Sequence, residues 1–468
     1  MNLDKFKTVE QLAAALKSIN VTFPSVYFVA ASDASAISKS RAQFTCDGTA
    51  DEVQINAATT ALPAGGGKVV LSEGTFTIAA TITLDDKCSL QGQGPDATTV
   101  KVDDSTQINA ITLASNAGDL VISDLTVDGN KANQSDGSDD NSQNGMYLAV
   151  GTPYRVSVQN CKVVDNYYNG IVCSGFEFTL IGCGMFGNGT AADSYGLHLS
   201  SCYQAKVYGC HVGNDNSGMA NWGGIYFYLA GRNSIMGCSV YSNTNTGINL
   251  SNEANDNQIV GNWVSYNGIY GIEMANGERN NINDNVVSYS EEHGIAVHAA
   301  NTLNNVVMGN VSYNNGQKTA NTYDGIWIYD ATYNIVIGNI CYDDQGSKTQ
   351  RYGISEENNS DYNTITHNHV RSTSDMRSVG ANDIIHSNLG YVTENSGTAT
   401  LLSGNTTLAV AHGLDVTPTV VNIAFREQGT ADYGRWWVDT IGAANFTLNV
   451  SVDPGASNLD FAWEAKVR

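Results

Sequence analysis

A right-handed parallel β-helix is the all-β fold class that this sequence predicts, and three observations predict it. A glycine followed by an apolar, a variable and usually an apolar residue recurs nine times, from Gly145-Met-Tyr-Leu148 to Gly353-Ile-Ser-Glu356. Successive glycines lie 23 to 31 residues apart. That is the period of a solenoid whose coils bury a core only by stacking. A second column runs through the same repeats: Cys161, Cys183, Cys210 and Cys238 give way to Asn262, Asn285, Asn310, Asn339 and Asn368. Parallel strands lie ~4.8 Å apart, close enough for stacked Asn side chains to hydrogen-bond along the column. A one-residue slip of register is expected late in the column, at Val311 and Ile340. The third observation is the absence of helix-period patterns from about 64 to 390, where short Ile- and Val-rich runs alternate with Gly and Asn. Those two residues supply the φ > 0 conformations of sharp turns.

The ends differ from the middle. Thr8-Val-Glu-Gln11 reads as a capping box opening an amphipathic helix with Leu12, Leu16 and Ile19 on one face. A strand-like run, Val26-Tyr-Phe-Val29, follows. Residues 1–45 are therefore expected to form a cap or attachment segment and 46–391 the β-helix. Past Tyr391 the runs Thr407-Leu-Ala-Val410, Val420-Val-Asn-Ile-Ala424, Trp436-Trp-Val438, Phe446-Thr-Leu-Asn-Val450 and Leu459-Asp-Phe-Ala-Trp463 predict an antiparallel β-sandwich over 392–468. Its paired tryptophans read as core rather than as a sugar platform, so the unit is expected to cap or oligomerise; carbohydrate binding is the alternative.

Asp47-Gly-Thr-Ala-Asp51, the apolar-periodic stretch to Leu62 and the run Gly65-Gly-Gly-Lys-Val-Val-Leu-Ser-Glu-Gly-Thr-Phe-Thr-Ile78 resemble the opening segment of the pectate-lyase-like superfamily, found in phage tailspikes and bacterial polysaccharide-degrading enzymes. Glu73 stands where that pattern usually has Pro, and Phe76 where it often has Tyr. The resemblance implies a helix that lids the open end of the solenoid. For a tailspike-like member it implies a polysaccharide partner, a homotrimer, attachment to a phage baseplate or tail through the N-terminus, and a virion or extracellular location. The pectinase signature of the superfamily (Asn-Thr-Asp, Asp-Asp, Gly-His-Gly) is absent.

Composition narrows the function. A formal net charge of -23 disfavours nonspecific binding to nucleic acid or anionic membrane. No apolar run of 18 residues predicts a membrane span, and the N-terminus lacks the regions of a secretory signal peptide. The cysteines, odd in number and without a CxxC pair, read as reduced packing residues rather than zinc ligands or disulfides. No metal or other cofactor is expected. The acidic loop from Asp128 to Asn144, with Asp136, Asp139 and Asp140, lacks EF-hand spacing and reads as a flap, leaving calcium as the alternative.

Strand alternation places the second and fourth residues after each repeat glycine outside. The first outward column then holds His198, Tyr226, Asn249, Glu273 and Trp327, and the second holds Tyr228, His298 and Tyr329. Aromatic faces pack on sugar rings, though an aromatic ladder also stabilises a sheet without any ligand. Tyr226, Tyr228, Trp327, Tyr329, His198 and Asn249 are therefore the predicted substrate-binding residues. Glycoside hydrolysis needs two carboxylates, ~6.5–9.5 Å apart for inversion. Two rungs of a column span ~9.6 Å, so Glu273 with Glu292 or Asp324 fits inversion, and His298 would tune the acid or bind substrate. Polysaccharide elimination would need a base and a cation, yet neither outward column carries Lys or Arg. The expected function is polysaccharide cleavage by a glycoside hydrolase. A non-catalytic structural spike or glycan-binding adhesin is the first alternative and a polysaccharide lyase the second.

Overall fold

The computed structural model describes residues 25–135, 142–190, 193–214, 220–426, 433–455 and 457–467. The leading helix expected around Leu12 to Ile19 and the acidic residues Asp136, Asp139 and Asp140 lie outside the described residues. Between the two ends the chain winds as a parallel β-helix with three strands per coil. In one central coil these are Ile248–Ser251, Gln258–Val260 and Trp263–Ser265. Glycine-led strands stack into one face and the strands after them into a second. Third strands form a separate 12-stranded sheet, from Gly74–Ile78 to His369–Arg371.

Alternation within each short strand fills the core. The residue after each repeat glycine is buried from Met146 to Ile354, and so is the residue two further on, from Leu148 to Glu356. On the third face Val163, Met185, Val212, Val240, Val264, Val287, Ser312, Cys341 and Val370 pair rung by rung in one unbroken register. The slip expected at Val311 and Ile340 does not occur. These two residues pair with each other on the outside, while Ser312 and Cys341 hold the inward position. The alternation was obscured because the outward neighbours are also apolar.

Buried carboxamides hold the corners. Asn262, Asn285, Asn310, Asn339 and Asn368 each donate Nδ2 to the Oδ1 of the next Asn at 2.9–3.0 Å, ending on Asn388. Each also donates its backbone N–H to the same oxygen. Two further ladders run up the other corners, Asn233 to Asn363 and Asn166 to Asn267. A buried amide costs free energy unless its donors and acceptors are paired, and here each coil supplies the partner of the next. All nine cysteines are buried and free.

Helix Glu52–Thr60 closes the first coil, with Ile55 and Ala58 buried against Val69, Leu71 and Ile78. Asp51 pins it by accepting the backbone N–H groups of Gly48 and Thr77, both at 2.9 Å. Glu73 accepts the Ser35 N–H and the Ser38 hydroxyl, which holds its carboxyl down at about 2 and ties on the helix Ala36–Arg41. The strand Val26–Ala30 pairs with Gly67–Leu71, so the leading segment contributes a rung to the solenoid. At the other end two three-stranded antiparallel sheets pack around Phe446, Leu448, Phe461 and Trp463. Trp463 is buried in that core, whereas the paired tryptophans are the ones expected there. Trp436 and Trp437 are not buried: both are about half exposed on the strand Trp436–Asp439, whose sheet pairs it on one side only.

Candidate functional site

The glycine face carries the outward columns in the predicted order. His198 pairs with Tyr226, then Asn249, Glu273, Ala296 and Trp327 along one column. Ser200, Tyr228, Ser251, Ala275, His298 and Tyr329 follow in the other. Strand pairing thus brings residues a hundred positions apart onto one lateral strip.

Glu273 stands at its centre, and its side chain is only 14% exposed. One carboxylate oxygen lies 2.9 Å from His298 Nε2. The other accepts the Asn249 carboxamide at 2.7 Å and the Thr246 hydroxyl at 3.4 Å. Asn249 is itself oriented by a hydrogen bond from Ser251. Every rotation of this carboxylate is therefore opposed by a neighbour from an adjacent coil. Tyr270, one residue before a repeat glycine, has its phenol pushed up by burial and then by the charges of Glu273 and Glu292. It therefore sits in the field of both. Glu292 is also largely covered and binds Lys318 at 2.7 Å.

Toward the C-terminal coils the groove wall is aromatic. Trp327 lies parallel to the His293 imidazole with ring centres 4.3 Å apart, and is 4.9 Å from Tyr329 and 5.6 Å from His298. Its indole N–H donates to Glu357 at 3.2 Å. Beneath it Asp324 is wholly buried. Its two oxygens take a two-pronged contact from Arg351 at 2.9 and 2.7 Å, the Tyr352 N–H and the Ser355 hydroxyl. The Asp324 N–H donates to His293 Nδ1 at 2.9 Å. Burial pushes the Asp324 carboxyl up against the pull of Arg351, and pushes His293 well down. Asp324 is thus withdrawn from the groove, where sequence had grouped it with Glu273. The turn before the strand folds it inward, and strand alternation does not describe a turn.

The opposite wall is a second aromatic cluster. Tyr195 stacks on Tyr226 at 4.4 Å, with His198 at 5.1 Å and Tyr228 at 6.3 Å from the Tyr226 ring. The Tyr226 hydroxyl accepts from Asn252 at 3.1 Å. These rings line a cavity of about 450 Å³ together with Asp193 and Asn169. Burial holds His198 down at about 4, and its Nε2 is covered without a hydrogen-bond partner. The imidazole is thus held neutral behind the cavity wall, with that nitrogen sealed from solvent.

Sequence reasoning missed Tyr195, Thr246, Tyr270 and His293. All four immediately precede a repeat glycine and form a third column along the groove. The repeat itself carried that signal. Among the described residues no three His, Cys, Asp or Glu side chains converge as a metal site.

The family described as a right-handed beta helix region matches residues 186–312. No curated protein matches the chain by sequence. Among solved structures, the A-module of the Azotobacter vinelandii mannuronan C-5 epimerase AlgE6 is similar with a TM-score of 0.63 at 18% identity, covering 72% of this chain and 94% of that one. The Dettilon tailspike protein gp208 is similar with a TM-score of 0.57 at 16% identity, covering 88% and 90%. A double mutant of the tailspike protein of E. coli bacteriophage HK620 gives 0.55 at 11% identity, covering 89% and 90%. At these identities the likeness is one of fold, and function has to be argued from the site.

Proposed function

We propose that this chain is a tailspike-like glycoside hydrolase that binds a bacterial surface polysaccharide along the glycine face and cleaves it at Glu273. The carrying observation is the clamped Glu273 carboxylate midway between two aromatic walls, with His298 on one oxygen and Asn249 on the other. Sugar rings stack on Tyr226 and Tyr228 at one end and on Trp327 and Tyr329 at the other, which seats the scissile bond over Glu273. Glu273 gives its proton to the leaving oxygen, and His298, hydrogen-bonded to it, orients that acid. Glu292, whose charge bears on Tyr270 as that of Glu273 does, is assigned as the second carboxylate, which activates water in an inverting mechanism. Asp324 is a positioning residue: through His293 it sets the plane of Trp327.

Hydrolysis is favoured over elimination because the groove's cations are already engaged. Arg351 is held by Asp324 and Glu357, and Lys318 by Glu292. Neither is free to steady an enolate. We further assign the protein to a homotrimer, carried on a virion tail or released outside the cell, with the C-terminal unit as its cap.

The test is incubation with a panel of bacterial surface polysaccharides, following new reducing ends and absorbance at 235 nm. Reducing ends without absorbance are expected. Glu273→Gln should lower the rate by about 10²–10⁴-fold while leaving binding intact. Absorbance gain would indicate a lyase, binding without cleavage an adhesin, and full activity in Glu273→Gln would remove the site.

A further inference from the structure

The cleft continues beyond its Tyr228 end. Tyr228 lines the 450 Å³ cavity and also a second one of about 620 Å³, with Leu229, Asn252 and Glu253. Leu229 and Glu253 in turn line a third, of about 500 Å³, with Phe176, Tyr203 and Arg232. Arg232 and Gln204 carry over to a fourth, of about 630 Å³, with Arg155 and Lys206. Each hollow shares lining residues with the next. A track therefore leaves the glycine face, turns the corner and runs onto the second face.

At the corner the track has an aromatic floor. Tyr154 pairs with Phe176, Phe176 with Tyr203, and Tyr203 with Gly231. The Phe176 and Tyr203 rings lie 5.7 Å apart and 24° from parallel. Such a ladder steadies a sheet by itself. Yet Phe176 is 46% and Tyr203 38% exposed, and the 500 Å³ hollow lies where Gly231 ends the ladder without a side chain. Two exposed, near-parallel rings beside a hollow suit the apolar face of a sugar.

Charge marks the same corner. Acidic residues outnumber Lys and Arg 46 to 23 in this chain, but the fourth hollow sets Arg155, Lys206 and Arg232 against one carboxylate, Glu177. Asp119 holds Arg155 at 2.6 Å. Two coils beyond Arg232 at the same corner, Asp256 and Glu278 hold Arg279 at 2.8 and 2.5 Å. Among the described residues neither Arg232 nor Lys206 has a carboxylate partner. An arginine left unpaired amid excess acid keeps its planar donors for a carboxylate brought from outside. Glu253 lies on the cleft side of Arg232, so an anionic group is directed away from it, toward Lys206.

We infer that this corner is a second saccharide site, remote from Glu273, which stacks a sugar on Phe176 and Tyr203 and pairs its carboxylate with Arg232 and Lys206. The ligand class is a uronate-bearing polysaccharide. The inference rests on the polysaccharide reading proposed above and adds the charge of the polymer and a place that holds it away from the cut. Through the track one polymer chain reaches corner and cleft together, which raises its residence on the protein.

Affinity electrophoresis of the full chain through gels carrying polygalacturonate, hyaluronate or neutral dextran tests it. A uronate polymer should retard the wild type and Glu273→Gln alike, and dextran neither. The double variant Arg232→Gln, Lys206→Gln should weaken that retardation roughly tenfold. Gln fits the corner, since Gln204 meets the same left-handed backbone one coil earlier, with φ 61° at both residues. Tyr203→Ala should weaken it by a similar factor and decides the matter should the double variant misfold. Lys101→Gln, Lys162→Gln, which removes equal charge from the third face, should bind as the wild type does. Equal loss in the two double variants means a bulk charge effect and overturns the site, as does equal retardation by dextran or none by either uronate polymer. Retardation that survives at the corner but is lost in Tyr226→Ala, Trp327→Ala confines binding to the cleft, which overturns the corner site and leaves the cleavage reading standing. Cleavage is followed separately by reducing ends, so that reading can fail with the corner site intact.

Discussion

Glu273 illustrates how single residues acquire meaning from the coils beside them. Its partners Asn249 and His298 come from the preceding and following strands, so none of the three is positioned by its own local sequence. The same holds for the ladder residues. Asn310→Ala removes a buried amide and leaves the Asn285 N–H and carboxamide without their acceptor, a loss of about 1–3 kcal/mol that should lower the thermal midpoint. An unchanged midpoint would mean the ladder is decorative. His198 makes a pH prediction. Its pKa is about 4 in the folded chain and ~6.5 when unfolded, so the unfolded state binds the extra proton between those values. Stability is therefore lost as pH falls from 6.5 toward 4. His198→Gln should flatten that acid limb in melting scans from pH 7 to 4; a limb of equal slope would contradict it. The outward columns two and four residues past each glycine were legible because they sit inside strands. Tyr270, His293 and Asp324 sit at the bend before the glycine, where alternation says nothing about direction.

At the scale of the element, the last coil differs from those beneath it. Glu356 occupies an apolar column yet is completely buried. It accepts from Asn363, Ser378 and the N–H groups of Val379 and Gly380. Asp383 beside it is pushed well up by burial and by the Glu356 charge. The folded pair therefore holds a proton that the unfolded chain gives up above about pH 4. The sign is opposite to that of His198: stability from this pair declines as pH rises across that window. Hydrogen exchange in the strand Ser374–Arg377 should be faster at pH 8.5 than at pH 6, beyond the chemical rate change, and Asp383→Asn should abolish the difference. Sequence reading carried the coil repeat to Gly353 and saw Glu356 only as a break in pattern. Apart from Asn363, seven residues on, its partners lie 22 to 27 residues on, in a segment without glycine repeats. The capping helix was legible because Asp47 to Leu62 is a local signal; the exposure of Trp436 and Trp437 was not, because it depends on how two small sheets meet.

Across the whole molecule one register governs fold, thiols and groove together. Burial raises Cys161, Cys173, Cys202 and Cys341, and all nine thiols are covered. No cysteine should react with a thiol reagent within an hour at pH 7.5, whereas all nine should react in guanidinium chloride. Early labelling of Cys210 or Cys238 would signal a coil that opens. The nine-glycine repeat made the solenoid legible because each copy is a whole coil.

Four interstrand steps separate Tyr226 from Trp327, ~19 Å along the rod. The reach of the cleft is consequently a whole-number quantity. Duplicating the stretch from Ile248 to Gly271 would push the two stacking platforms apart by one increment and leave the acid in place. Digestion by such a lengthened protein should release oligosaccharides of altered size from the same polymer, as though a ruler had gained a graduation.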